Sequence, residues 1–131
     1  MILFFKYSSL LDNDTKAYDE KNLENINKLL SNKGTYLLDL RNPIKLLRAE
    51  TFDLPSSMKI EAQVDHKKRR FKFQYNFNGI KDMAECNIYT LEEFKEMLKD
   101  AGLKIIETFG DFNGSKYSEK TERLIIVAKK A

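Results

Sequence analysis

Hydrophobic and polar positions follow two different periods along this chain, and the change of period marks its organisation. Ile2 to Leu11 is apolar and aromatic with a polar break at Lys6, which predicts a strand. Asp12 to Thr15 is a polar turn rich in helix-capping residues. Leu23, Ile26 and Leu30 then recur at helical spacing, so a helix is expected from about Ala17 to Asn32. Gly34 follows, where glycine takes a left-handed helix stop without steric cost. Thr35 to Leu40 is a nearly continuous apolar run and reads as a strand buried on both faces. Strand, helix and strand in this order predict a parallel crossover unit. Asn42-Pro43 supplies a cap and a first-turn proline for a short helix over Ile44 to Ala49.

The period then shortens to two. Ile60, Ala62 and Val64 alternate with polar residues, and Phe71, Phe73, Tyr75 and Phe77 alternate with Lys72, Gln74 and Asn76. Asn78-Gly79 is a strong hairpin signal. Residues 57–89 therefore predict a three-stranded antiparallel ribbon with one apolar and one wet face. Past it, Thr90 to Glu93 spells a capping box, and Leu91, Phe94, Leu98 and Ala101 share one helix face. Gly102 ends that helix. Leu103 to Phe109 reads as a strand, Gly110 to Lys120 as a loop, and Arg123 to Ala128 as a closing strand.

Composition narrows the function classes. The 131 residues make one domain, 1–131, with 42% hydrophobic and 33% charged residues, as expected for a soluble globular protein. A formal net charge of +3 gives little support to a nucleic-acid role. No apolar run is long enough for a membrane helix, and Met1 to Phe5 lacks the flanks of a signal peptide. Cys86 is the one cysteine, so no intrachain disulfide forms and a reducing, cytoplasmic setting fits. One histidine, His66, and one cysteine at no ligand spacing give no metal site. The basic run Lys67-Lys68-Arg69-Arg70 reads as a solvated turn. Glu92-Glu93 reads as capping chemistry, and no catalytic residue stands out.

The tail carries a more specific pattern in Tyr89, Thr90, Glu93, Ala101, Gly102, Leu103, Gly110, Asp111, Phe112, Gly114, Arg123 and Val127 to Lys129. Upstream, Leu11-Asp12-Asn13-Asp14, Asp19-Glu20, Asn22-Leu23, Lys33-Gly34 and Leu37 to Asn42 add pieces in matching order. Together they resemble the C-terminal half of a class I, S-adenosylmethionine-dependent methyltransferase of the small-molecule type. The resemblance implies an α/β fold with a partial Rossmann-like sheet. Its last four strands would be present, with a parallel start and an antiparallel closing strand, and residues 57–89 would be an inserted acceptor lid. It implies S-adenosylmethionine as cofactor, touched by Leu11, Asp12 and Asn13, and an acceptor touched by Tyr75, Tyr89 and Arg41. Asp12, Asn13 and Tyr89 would stand nearest the reaction.

Departures qualify the match. Lys6 stands where relatives often carry aspartate, and Asn87 where they often carry arginine. Five glycines, Gly34, Gly79, Gly102, Gly110 and Gly114, form no G-x-G cluster after a strand. The family's main cofactor loop is therefore expected to lie outside these residues. That implies a complementing N-terminal half or self-association into a homo-oligomer to cover the exposed sheet edge. Partners are then a small-molecule acceptor and another polypeptide or copy, not nucleic acid or membrane. A non-catalytic binding or oligomerisation module derived from the same fold is the rival reading. A small enzyme of other chemistry that reuses the ribbon pocket is a third.

Overall fold

The computed structural model describes residues 2–5, 16–48, 59–77 and 79–131. The elements are β1 (Ile2–Phe5), α1 (Lys16–Leu29), β2 (Tyr36–Arg41), α2 (Pro43–Arg48), β3 (Lys59–Asp65), β4 (Arg70–Phe77), β5 (Ile80–Asn87), α3 (Leu91–Asp100), β6 (Leu103–Phe109) and β7 (Arg123–Lys130). They form a mixed α/β structure with two sheets. One has the order β1-β2-β7-β6, and the other is β3-β4-β5. β1 runs parallel to β2, with Ile2 opposite Tyr36 and Phe5 opposite Asp39. β7 is antiparallel to both β2 and β6.

Alternation along paired strands decides where the core sits. Tyr36, Leu38 and Leu40 of β2 face the same way as Ala128, Ile126 and Leu124, their partners on β7. α1 and α3 cover this face. Leu23, Ile26 and Leu30 join Phe94, Met97, Leu98 and Ala101 in one buried cluster with it. The Thr90 hydroxyl accepts from the Glu93 amide while Glu93 reaches back to the Thr90 amide, so the expected capping box starts α3. Gly102, at φ +80°, ends the helix. A smaller cluster of Leu46, Phe71 and Ile88 joins α2 to the ribbon.

Three expectations need correction. α1 stops at Leu29, three residues short of Asn32, because the amide of Leu30 makes the last helical bond to Ile26 and Gly34 then bonds Ser31 in a separate turn. Gly34 is not left-handed, as Gly79, Gly102 and Gly114 are. It is needed for close approach instead, since a Cβ there would lie 2.7 Å from Leu30 Cδ1. β2 is not apolar and buried on both faces. Leu37 is only half-buried, and the buried residue on its face is Asp39.

Gly102 gives a test of this framework. Alanine there would strain the left-handed backbone and put its Cβ 2.6 Å from Asn27 Nδ2. That contact displaces the amide from its 2.8 Å bond to the Ala101 carbonyl. Gly102→Ala should lower stability by about 2–3 kcal/mol. The readout is the urea midpoint at unchanged slope, and a loss under about 1 kcal/mol would contradict the account.

Candidate functional site

α1 leads into β2 and α3 into β6 through short turns, so each helix returns against its strand. The N-termini of α1 and α3 therefore lie at the carboxyl ends of β2 and β6. Ligands of open α/β sheets bind outside this end. Three polar side chains meet there. Asp19, in the first turn of α1, is only 5% exposed. Its Oδ2 accepts 2.6 Å from the Tyr89 hydroxyl and 3.0 Å from Asn87 Nδ2. The α1 N-terminus favours an acidic group at this position. Arg70 of β4 extends the network, donating to Asn87 Oδ1 at 3.1 Å and pairing with Glu85 at 3.1 Å. Burial pushes the Tyr89 phenol well above its ordinary pKa, and the Asp19 hydrogen bond and charge add to that while Asn87 opposes it. Tyr89 is thus a neutral donor that also meets Phe94 edge-on at 5.4 Å.

A second polar cluster forms past β2. Asp39, 2% exposed, pairs with Arg123 at 2.6 Å, and the Arg123 guanidinium lies 5.0 Å over the Phe112 ring. Asn42, 1% exposed, caps α2 by accepting from the Ile44 amide at 3.1 Å. Its Nδ2 donates to the carbonyls of Ser118 at 2.9 Å and Thr121 at 2.7 Å, while Tyr117 donates to its Oδ1 at 3.0 Å. Lys45–Glu122 and Arg48–Glu119 pairs add exposed ties between α2 and the same loop. One asparagine therefore holds α2 and the segment before β7 together.

The basic run is less free than a solvated turn. Lys67 and Lys68 are exposed, and their amides donate to Asp65 at 3.1 and 3.0 Å. Arg69 takes a left-handed φ of 53° and pairs with Glu93. Burial alone would raise Glu93, but the Arg69 and Thr90 hydrogen bonds outweigh it and hold the carboxyl below the usual range. A depressed carboxyl stabilises the fold above its unfolded pKa and loses that contribution as pH falls through the folded value. Glu93→Gln should cost about 1 kcal/mol at pH 7 and less at acid pH. Urea titrations at several pH values read this, and a loss independent of pH would refute it.

Of the residues expected at a site, Tyr89 stands in the Asp19 network. Arg41 ends β2 opposite Arg123. Tyr75 lies on β4 opposite Ile60 and Asp82, and its side chain is outside the described ones. Leu11, Asp12 and Asn13 lie outside the described residues. Sequence reasoning gave Asn42 the cap of α2, as the Ile44 amide bond bears out, but assigned no role to Asp19, to Asp39 or to the Asn42 Nδ2 donor. Asp19 had a signal, because it falls four residues before Leu23 on the apolar stripe of α1.

No family model matches the chain, and no curated protein matches it. Solved structures do. The CcbJ methyltransferase from Streptomyces caelestis superposes with a TM-score of 0.75 at 16% identity, over 98% of this chain and 60% of that one. The chain has the fold of S-adenosylmethionine-dependent methyltransferases. Such an enzyme from Clostridium acetobutylicum gives a TM-score of 0.68 at 16% identity, over 86% of this chain and 50% of that one. The glycopeptide N-methyltransferase MtfA, solved with S-adenosyl-L-methionine, gives 0.52 at 10% identity, over 98% and 52%. The chain thus spans 50–60% of the length of these methyltransferases.

The described glycines differ in the space around them, and nothing lies within 4 Å of a Cβ built at Gly79 or Gly114. Gly34 and Gly110 are closed off by the Leu30 and Thr121 side chains, while Gly102 ends a helix against Asn27. Among the described residues no cluster of three or more His, Cys, Asp or Glu could hold a metal, and no helix is long and apolar enough to cross a membrane.

Proposed function

We propose that this chain is the acceptor-side portion of an S-adenosylmethionine-dependent enzyme that methylates a small molecule. The observation that carries this reading is the match to CcbJ over nearly the whole chain. The Asp19, Asn87 and Tyr89 cluster at the carboxyl ends of the strands adds support. In this reading β1 is the fourth strand of the methyltransferase sheet and β2 the fifth. The ribbon shapes the acceptor pocket, with Tyr75, Tyr89 and Arg41 toward the acceptor and Leu11, Asp12 and Asn13 toward the cofactor. Methyl transfer needs alignment and desolvation more than a strong base, which suits a site with a neutral phenol and a buried carboxyl group.

β1 is the edge of its sheet among the described residues. A complementing polypeptide that adds strands beside β1 and brings the glycine-rich loop would complete the cofactor site. Self-association through that edge is the other way to pair it. Calorimetry with S-adenosylhomocysteine tests the first. Heat is expected only after an upstream methyltransferase half is added. Silence in both arms would favour the rival reading, a binding or oligomerisation module. Sedimentation velocity of the chain alone tests the second, and a clean monomer at high concentration would count against it.

A further inference from the structure

We propose that the polar face of the ribbon binds the phosphate group of a small molecule, in a recess that Arg70 and Asn87 join to the carboxyl-end cluster. Register sets the chemistry. Gln63, Lys72 and Glu85 stand in one row across the three strands, and Asp65, Arg70 and Asn87 in the next row on that face. The intervening row, Val64, Phe71 and Cys86, faces the apolar cluster. Gln63, Asp65, Arg70, Lys72 and Glu85 of the wet rows, with Lys68 from the turn and the edge of Val64, line an open recess of about 330 Å³, a size typical of small-ligand sites.

The acidic groups of this recess are engaged. Asp65 accepts the amides of Lys67 and Lys68, and these bonds hold its carboxyl below the ordinary range. Glu85 is paired with Arg70. Among the described residues neither Lys68 nor Lys72 makes an ion pair, although the Lys68 charge helps to hold the Asp65 carboxyl down. Two unpaired ammoniums therefore flank a guanidinium whose position is fixed by Glu85 and Asn87. A fixed guanidinium beside two point charges suits the several acceptor oxygens and double charge of a phosphate ester. Asp65 fixes the backbone that carries Lys68, so less order is lost on binding.

The test is an amide-shift titration of the full 131-residue chain with inorganic pyrophosphate and, separately, methyl phosphate. Saturable shifts are expected at Gln63, Lys68, Lys72 and Glu85 with both probes. Lys68→Gln/Lys72→Gln should weaken binding about tenfold or more. Both side chains are exposed, so the variant should keep the parent's urea midpoint. Absence of saturation up to about 10 mM, shifts spread over distant lysines such as Lys99 and Lys104, or equal affinity in the double variant would overturn the proposal. So would binding of a single-stranded oligonucleotide with no response to pyrophosphate.

Discussion

Replacing Asn42 with alanine should remove about 3 kcal/mol of stability. The side chain makes hydrogen bonds on both of its faces: two to carbonyls and two from donors. Alanine leaves the Thr121 carbonyl and the Tyr117 hydroxyl to find new partners, whereas the exposed Ser118 can turn to water. The sharper test is Asn42→Asp, nearly equal in volume. It would aim a carboxylate at the carbonyls of Ser118 and Thr121, and should cost at least as much at pH 7. Urea denaturation gives the totals. Hydrogen exchange should show the loss of protection concentrated at Arg123 and Leu46, the ends of the segments that Asn42 joins. An aspartate variant milder than the alanine one would mean that the Asn42 amide does not donate to those two carbonyls.

Breaking the Asp39–Arg123 pair should cost more still. Arg123→Met strands a carboxylate that is 3% exposed at the side chain, and loss of one partner of a buried pair costs about 3–5 kcal/mol. The double change Asp39→Leu/Arg123→Met removes both desolvation penalties and should recover most of that loss. The pair thus serves geometry more than net stability. It holds β2 against β7 at the end where Phe112 stacks on Arg123. A double-mutant cycle with thermal melts measures the coupling. For a domain of this size the single variant should melt lower by about 10–20 °C. Equal losses in the single and double variants would remove the pair from this role.

Much of the architecture was legible in local pattern. Period two over 59–77 and the Asn78-Gly79 signal gave the ribbon, because alternation and a positive-φ glycine leave a hairpin few alternatives. Thr90 and Glu93 gave the start of α3 because a capping box is closed within four residues. The Asp19–Tyr89 bond was not legible, because it spans about seventy residues of chain. Gly34 misled for a related reason. Its position after a helix suggests a dihedral role, yet what it provides is room for Leu30, which packs from the previous turn.

The sequence by itself determined the elements, their order, the two amphipathic helices and the tail pattern that points to a methyltransferase fold, since each depends on residues a few positions apart. Tertiary structure alone decided that Asp19 meets Tyr89 and Asn87, that Asn42 ties α2 to the segment before β7, and that Asp39 pairs with Arg123. A buried polar group must find a partner wherever the folded chain brings one, and sequence distance carries no record of which partner arrives.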